Sequence, residues 1–239
     1  MSRTFTSFAE HDSVAKMLVQ ELPCIQNDAE SYRMKMRELG QHLAEGIIPT
    51  LDVEKIKTIC VVCTVEDADF LARGVIEQLE VHHLAGKTRL ICLWNQRVKR
   101  EGVPVSPVLR TYEEPFDKNN VVFIIVKSII SGGCVVKTNL TKALSAVQPS
   151  KVYIAAPVML EGAEGRLSRE FPDSISACFE FVHFATDDER SADGEEVIPG
   201  VGGSVYELLG LGDENQKNKY IPEIVRQRRK LEIYQPQVA

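Results

Sequence analysis

The sequence predicts an α/β fold in which helices cover both faces of a mostly parallel sheet. Runs of apolar and β-branched residues at 58–64, 88–95 and 121–127 have the composition of buried strands. Stretches with apolar residues at helical spacing separate these runs. Strands that alternate with helices pair in parallel, because each crossover returns the chain to the same end of the sheet.

Length and composition are those of a globular protein with one large domain. The chain has 239 residues, of which 44% are hydrophobic and 26% charged, so it can bury a sizeable core. A net charge of −6 argues against nucleic-acid binding through a broad basic face. No apolar run approaches the roughly 20 residues that cross a bilayer, and residues 1–10 are too polar for a secretory signal. We therefore expect a cytoplasmic protein without a membrane partner.

Residues 1–55 are predicted to form a helical cap before the first strand of the sheet. Apolar residues recur at helical spacing within 14–22 and again within 36–47. The second helix has a start signal at Asn27 or Asp28, and Pro49 ends its pattern. We expect these helices to cap the core or to join copies of the chain in a homo-oligomer.

Residues 56–190 are predicted to form the α/β core. After the first strand, Thr64 can cap a helix whose first turn holds Glu66 and Asp67, where the helix dipole favours acids. The charged, turn-rich connection at 96–119 is long, and long connections are often functional. The sequence further predicts a strand at 105–111, a helix at 136–147, a strand at 151–157, a short helix at 162–171 and a strand at 176–186.

Residues 191–239 are predicted to form a glycine-rich loop followed by a helix. Five glycines lie within 198–213, among apolar residues that argue against a free linker. The last helix, at 220–231, carries a basic run on its outer side. A single domain from residue 1 to 239 is the simplest interpretation of these three parts.

The turn after the strand 121–127 is the most informative segment. Gly132 and Gly133 allow backbone conformations that are closed to other residues. Successive amides can then point into one cavity at the start of a helix, which suits a phosphate. Open α/β sheets bind their ligands at this end of their strands. The candidate phosphate-binding residues are Lys127, Ser131, Gly132, Gly133 and Cys134.

This segment resembles the phosphate-binding motif of type I phosphoribosyltransferases. In that family a strand ending in two acids precedes Thr-Gly-x-Thr, which holds the 5′-phosphate of phosphoribosyl pyrophosphate. Ser131 and Gly132 match Thr-Gly, and Cys134 stands at the second threonine. The resemblance covers about residues 57–157. It implies a phosphoribosyltransferase-like, Rossmann-like core, a phosphorylated ribose or nucleotide as ligand, and Mg²⁺ on a diphosphate as cofactor.

The acidic pair of the family is missing, because Val126 and Lys127 occupy its two positions. Neither side chain can accept hydrogen bonds from ribose hydroxyls as a carboxylate does. The loop that binds pyrophosphate in the family contains Glu66, Asp67 and Asp69, which repel a diphosphate unless a metal lies between them. Ordinary charge at a helix start is the alternative explanation of these acids. Either the ligand differs from that of the family, or catalysis has been lost.

The connection at 96–119 and the strand before it supply further candidates. Arg97, Lys99 and Arg100 lie where the family has a mobile basic loop, which closes on the leaving pyrophosphate. A solvated, charged loop is the alternative. Trp94 can stack on a base, or it can pack in the core.

The glycine-rich tail has the wrong spacing for a dinucleotide fingerprint. Its composition still indicates close backbone approach to a ligand, a partner chain or neighbouring strands. The candidate contacts there are Gly202, Gly203, Ser204 and Tyr206.

Cys60 and Cys63 have the spacing of a redox or zinc site. No second pair and no nearby histidine accompany them, and residues three apart on a strand point to opposite faces. We expect both to be reduced core residues, and we expect no metal bound directly by the chain.

Two functions follow from these observations. The first is an enzyme that transfers phosphoribosyl from a phosphorylated ribose or nucleotide to a nitrogenous base. The second is a catalytically inactive subunit with this fold, which serves as a binding or scaffold component of a larger assembly. The missing acids favour the second function, and the Ser-Gly-Gly turn favours ligand binding in either case.

Overall fold

The protein is described by a computed structural model that covers residues 2–25, 27–100, 103–145 and 147–234. Its strands are β1 (Arg3–Phe5), β2 (Thr58–Thr64), β3 (Thr88–Asn95), β4 (Val98–Arg100), β5 (Val103–Val105), β6 (Val108–Glu113), β7 (Val121–Val126), β8 (Ile129–Ile130), β9 (Lys151–Leu160), β10 (Phe179–Asp187), β11 (Glu189–Arg190) and β12 (Val197–Ile198). Its α-helices are α1 (Ser7–His11), α2 (Ser13–Glu21), α3 (Ala29–Ile47), α4 (Leu71–Val81), α5 (Cys134–Ala143), α6 (Ala163–Ser168), α7 (Asp173–Ser176), α8 (Val205–Leu208), α9 (Glu214–Lys217) and α10 (Glu223–Tyr234).

The central sheet has the strand order β1-β10-β9-β7-β2-β3-β6, with β8 paired to β9 beside this path. Strands β2, β3, β7, β9 and β10 are parallel, and the edge strands β1 and β6 are antiparallel to their neighbours. Counted along the chain from β2 to β10, the six core strands have the doubly wound order 3-2-1-4-5-6. The direction of winding reverses between β2 and β7, which makes this gap the topological switch point.

Strand β2 is buried on both faces because it lies in the middle of the sheet. Ile59 and Val61 belong to the core under α3 and α4, whereas Cys60 and Val62 belong to the core under α5 and α6. This alternation follows from the two-residue period of a strand. The predicted fold class, a mostly parallel sheet with helices on both faces, is thereby confirmed.

Helices α3 and α4 pack closely because each presents a glycine to the other. A Cβ atom on Gly40 would lie 2.0 Å from the Leu71 carbonyl oxygen, and one on Gly74 would lie 1.9 Å from the Arg37 carbonyl oxygen. Both distances are far below a van der Waals contact. The two helices therefore form one tight layer over β2.

The sequence predicted a purely helical N-terminal part. In the structure this part also contributes a strand, β1, to the edge of the sheet. The Arg3 guanidinium donates to both carboxylate oxygens of Asp187, at 2.8 and 2.7 Å, and Asp187 also accepts from the Gly200 amide at 2.8 Å. One buried carboxylate thus joins β1, β10 and the glycine-rich tail. The pairing was not predicted because a three-residue edge strand has no distinctive sequence pattern.

Two predicted elements differ in the structure. The helix expected to begin at Thr64 begins at Leu71, because residues 65–70 form turns and the Thr64 hydroxyl donates to Asp67 Oδ2 at 2.7 Å. The strand predicted at 105–111 is divided into β5 and β6 by Pro107, which has no amide for a ladder. The division into residues 1–55, 56–190 and 191–239 stays a prediction.

Asp69 holds the last helix against the core. Its carboxylate accepts the amides of Glu223 and Ile224 at 2.7 and 2.8 Å, and it accepts the Tyr220 hydroxyl at 2.5 Å. This carboxylate acts as an N-terminal cap supplied from another part of the chain. Among the described residues, no helix combines the length and the apolar character needed to span a bilayer.

Candidate functional site

A crevice lies at the topological switch point, beyond the carboxyl ends of β2 and β7. It consists of two adjoining cavities of about 400 and about 560 Å³, volumes typical of small-molecule sites. The turn cavity is the larger and is lined by Gly132, Gly133, Cys134 and Arg190 among others. The tail cavity is lined by Glu66, Asn95, Tyr206 and Lys217 among others. Arg97, Ser106, Lys127 and Ser131 line both cavities.

The start of α5 forms one wall of the turn cavity. Gly133 precedes the helix with φ 76°, a left-handed conformation that favours glycine. No side chain caps this N-terminus, and the first amides of a helix have no partner within it. Gly132 does not share the positive φ, so the expected need for glycine applies to Gly133 alone. The structure thus places Ser131, Gly132, Gly133 and Cys134 together at a helix start that faces a cavity.

Arginine side chains surround this turn. Arg190 Nη2 would be the nearest neighbour of a Cβ atom on Gly132, at 4.0 Å, and Arg166 Nη2 donates to the Ser131 carbonyl at 3.3 Å. Burial raises the pKa of the Cys134 thiol, and the positive charge of nearby Arg97 partly opposes this effect. The described lining of the turn cavity has Arg97 and Arg190 against one acid, Glu195, although the chain carries a net charge of −6. Helix amides and arginines together favour an anion.

Lys127 is buried in the floor of the crevice, with an exposed fraction of 4%. Its Nζ donates to Asp67 Oδ2 at 2.7 Å, to Glu66 Oε1 at 3.3 Å and to Ser128 Oγ at 3.0 Å. The amide of Ser128 also donates to Asp67. Lys127 therefore does not face solvent at the end of its strand. Its contact with a phosphate stays a prediction, and a phosphate there would compete with two carboxylates.

Burial and opposite charges set the ionisation of this cluster. Burial raises the pKa of Glu66, but Lys127 and Lys217 outweigh burial and hold it at about 2. Burial raises the pKa of Asp67 more than Lys127 lowers it, and Glu66 adds to the increase. Burial lowers the pKa of Lys127, but the attraction of both carboxylates dominates and raises it. Lys127 is therefore charged at neutral pH.

The tail cavity is closed by residues from the C-terminal part of the chain. Lys217 is 3% exposed and donates to the Asn95 carbonyl at 2.8 Å. It also pairs with Glu214 Oε1 at 3.2 Å, and that oxygen accepts the Arg97 amide at 3.0 Å. Helix α9 is thereby tied to the end of β3. Tyr206, Gly203 and Ser204 line the same cavity.

Two candidates from the sequence do not face either cavity. Trp94 is 1% exposed, and its Nε1 donates to the Tyr220 carbonyl at 2.9 Å, so it belongs to the core. Gly202 instead approaches the N-terminal part, where a Cβ atom would lie 3.0 Å from Pro23 Cα. The burial of Trp94 is incompatible with stacking of its ring on the base of a ligand.

The basic loop can be placed only in part. Arg97 lines both cavities, whereas the side chains of Lys99 and Arg100 lie outside the described residues. The backbone of these two residues belongs to β4, which forms a hairpin with β5. The loop thus departs from the sheet beside the crevice.

Cys60 and Cys63 lie on opposite faces of β2, in different cores. Burial raises the pKa of the Cys60 thiol to about 12. In the part of the chain that the structure describes, no group of three or more histidine, cysteine or acidic residues could hold a metal ion.

Arg190, Glu214 and Lys217 are among the crevice residues that were missed from the sequence. Arg190 lies in β11, Glu214 and Lys217 in α9, and no local pattern distinguishes them from surface charges. The mixed polar and apolar composition of the tail was the available signal, since it indicated a segment held against the fold. It did not indicate which side chains face the crevice.

The fold and the crevice together define a doubly wound α/β protein with a ligand-sized space at its switch point. No protein-family model and no curated protein matches the sequence. Among solved structures, the AQ2163 protein from Aquifex aeolicus is similar with a TM-score of 0.62 and 18% identity, over 83% of this chain and 94% of that chain. This similarity establishes a shared fold.

Two other solved structures match more weakly. TT1426 from Thermus thermophilus has a TM-score of 0.46 and 14% identity, over 78% of this chain and 95% of that chain. The L. donovani hypoxanthine-guanine phosphoribosyl transferase has a TM-score of 0.40 and 12% identity, over 62% of this chain and 78% of that chain.

Proposed function

We propose that the protein is a divergent phosphoribosyltransferase-like protein that binds a phosphorylated ribose or a nucleotide in the crevice. The observation that carries this proposal is the start of α5, where Gly132, Gly133 and Cys134 line one cavity together with Arg97 and Arg190. A phosphate is the anion that this arrangement suits best. The match of Ser131 and Gly132 to the family motif supports the same ligand.

The size of the crevice supports a ligand larger than phosphate alone. The two cavities adjoin and share seven described lining residues, so one molecule can extend from the turn cavity into the tail cavity. A phosphorylated ribose or nucleotide has its anionic group at one end and hydroxyl or base groups at the other. The crevice has a similar division, because Arg190 lines only the turn cavity, whereas Glu66 and Asn95 line only the tail cavity.

We propose phosphoribosyl transfer to a nitrogenous base as the reaction of such a site. The cofactor would be Mg²⁺, bound through the diphosphate of the substrate. Catalysis would come from position and charge, with the loop that begins at Arg97 covering the leaving group.

A catalytically inactive subunit of a larger assembly is the second candidate, and one observation favours it. Lys127 takes the place of a family acid and neutralises Asp67 instead of leaving a carboxylate free. Under either candidate, action in the cytoplasm and assembly into a homo-oligomer stay predictions.

Thermal shift tests the ligand. Phosphoribosyl pyrophosphate, ribose 5-phosphate and nucleotides are added with and without Mg²⁺, since a ligand that binds the folded state raises the melting temperature. We expect at least one phosphorylated ribose to stabilise the wild type and to lose this effect with Gly132→Val. A Cβ at Gly132 has free space, so the variant should fold. The proposal fails if no phosphorylated compound shifts the melt.

Pyrophosphate release separates the two candidates. The wild type is incubated with phosphoribosyl pyrophosphate, Mg²⁺ and a panel of purine and pyrimidine bases, and free pyrophosphate is measured. Base-dependent release identifies a transferase. Ligand binding without release under all these conditions identifies the inactive subunit.

A further inference from the structure

The wall of the tail cavity contains buried oxygens that receive no hydrogen bond. Glu66, Asn95 and Ser106 are 7%, 3% and 2% exposed and all line this cavity. Within the described residues, Glu66 Oε2, Asn95 Oδ1 and Ser106 Oγ have no hydrogen-bond partner. Lys217 Nζ is 4.0 Å from Glu66 Oε2, which is beyond hydrogen-bonding distance.

Unpaired buried acceptors destabilise a folded chain, and native proteins contain few of them. Ser204 Oγ also lines this cavity without a partner, so four such oxygens among the described residues indicate that the cavity is built for an occupant. A carboxylate oxygen and an amide carbonyl oxygen only accept hydrogen bonds. The missing partners are consequently O–H or N–H donors, not a second anion.

Lys127 connects this wall to the turn cavity. Its Nζ binds Glu66 through Oε1 at 3.3 Å, which leaves Oε2 of the same carboxylate without a hydrogen bond and 4.0 Å from Lys217 Nζ. Lys127 lines both cavities, so the carboxylate lies between the tail cavity and the proposed phosphate position. In this chain the residue after β7 is a lysine, and the carboxylate comes from the loop after β2 instead.

We propose that the tail cavity binds the hydroxyl groups of a phosphorylated ribose, with Glu66 and Asn95 as the acceptors. This inference rests on the proposed function, because it assumes that the phosphate of the same molecule occupies the turn cavity. These unpaired oxygens have no exposed surface, so binding requires the Glu66 or Asn95 side chain to rotate and to give up its contact with Lys127 or with the Ser106 carbonyl. Ser106 supplies a hydroxyl that can accept from the same group.

Isothermal titration calorimetry tests the inference with three probes: ribose 5-phosphate, 2-deoxyribose 5-phosphate and inorganic phosphate. The wild type should bind ribose 5-phosphate about tenfold more tightly than its 2-deoxy analogue, the value of one hydrogen bond to a charged acceptor. Glu66→Gln should remove most of this preference while inorganic phosphate binds as before. Ser106→Ala should reduce the preference by a smaller factor.

Glu38→Gln is the control, because Glu38 is an exposed carboxylate of α3 that lines neither cavity. It removes the same charge and should keep the wild-type preference. Ser106→Ala removes a hydroxyl without a partner, so it should fold even if Glu66→Gln does not. Equal binding of ribose 5-phosphate and its 2-deoxy analogue by the wild type overturns the inference without any variant.

The outcomes distinguish the two proposals. If the wild type binds none of the three probes and no nucleotide, the proposed function fails. If it binds inorganic phosphate and both sugar phosphates equally, or if Glu66→Gln and Ser106→Ala both keep the full preference, the hydroxyl site is wrong and the phosphate site stands.

Discussion

At the scale of single residues, the buried ion pair between Lys127 and Asp67 holds together the residues that form the floor of the crevice. Both side chains are buried, with 5% and 0% of their surface exposed, and Asp67 accepts three hydrogen bonds. Such a pair contributes little compared with apolar packing, but losing one partner leaves a buried charge. The position of the lysine is therefore essential to folding even if no ligand touches it.

Lys127→Met should destabilise the protein by about 3–5 kcal/mol, because Asp67 loses its counter-ion and Glu66 keeps only Lys217, at 4.0 Å. Urea unfolding monitored by circular dichroism measures the change. Lys137→Met is the control, since its ion pair with Glu170 is about half exposed on both sides and should leave the urea midpoint unchanged. A Lys127→Met variant as stable as the wild type would show that the pair is not required.

His183 predicts a loss of stability in acid. Burial lowers the pKa of this histidine from 6.5 to about 4, and Glu164 Oε1 lies 3.5 Å from its Nδ1. The unfolded chain takes up the proton below pH 6.5, whereas the folded chain does so only near pH 4. This contribution, about 3 kcal/mol, is present above pH 6.5 and is lost as the pH falls to about 4. In His183→Gln, the free energy of unfolding, measured by urea unfolding between pH 7 and 4, should fall by about 3 kcal/mol less than in the wild type.

At the scale of elements, the layer formed by α3 and α4 depends on close backbone contact. Helix propensity alone favours alanine over glycine by about 1 kcal/mol. At Gly74 the added methyl would meet the Arg37 carbonyl, so packing decides the sign. Overpacking of this kind typically costs about 1–3 kcal/mol.

Gly74→Ala should therefore lower the free energy of unfolding, and Gly165→Ala should raise it. Gly165 lies in α6, where the nearest atom to an added Cβ is Arg169 Nη1 at 3.8 Å. Thermal and urea unfolding of the two variants give the comparison. Stabilisation by both substitutions would mean that α3 and α4 can move apart without cost.

At the scale of the whole molecule, the N-terminal helices are the expected contact between copies of the chain. Val14 and Met17 in α2 and Met34 in α3 are 40%, 47% and 59% exposed, so these helices present apolar side chains to solvent. Such residues favour contact with an apolar partner.

Multi-angle light scattering should give a mass above the 26.7 kDa of one chain, and Met17→Glu with Met34→Glu should reduce it to one chain. Val81→Glu is the control, because Val81 is 66% exposed but lies in α4. A wild-type monomer that melts cooperatively without a partner would contradict the homo-oligomer and weaken the subunit hypothesis.

Local patterns were enough to predict the fold class and much of the element order. The composition of 58–64 and 121–126 identified two buried strands, because a central parallel strand is apolar throughout. The glycine turn at 131–133 was also predicted, because positive φ and a helix start leave a sequence signal. Edge strand β1 and the first residue of α4 were not predicted, because both depend on contacts with residues that are distant in the sequence.

Packing in three dimensions decided which charged residues face the crevice. Lys127 and Asp67 are 60 positions apart, and Asp69 caps a helix more than 150 positions away. No periodicity encodes such pairs, because the adjacency of β2 and β7 brings the ends of separate strands together. The anion-binding turn is therefore a property of a short stretch of chain, whereas the paired floor and the acceptor-lined wall beside it exist only in the folded sheet.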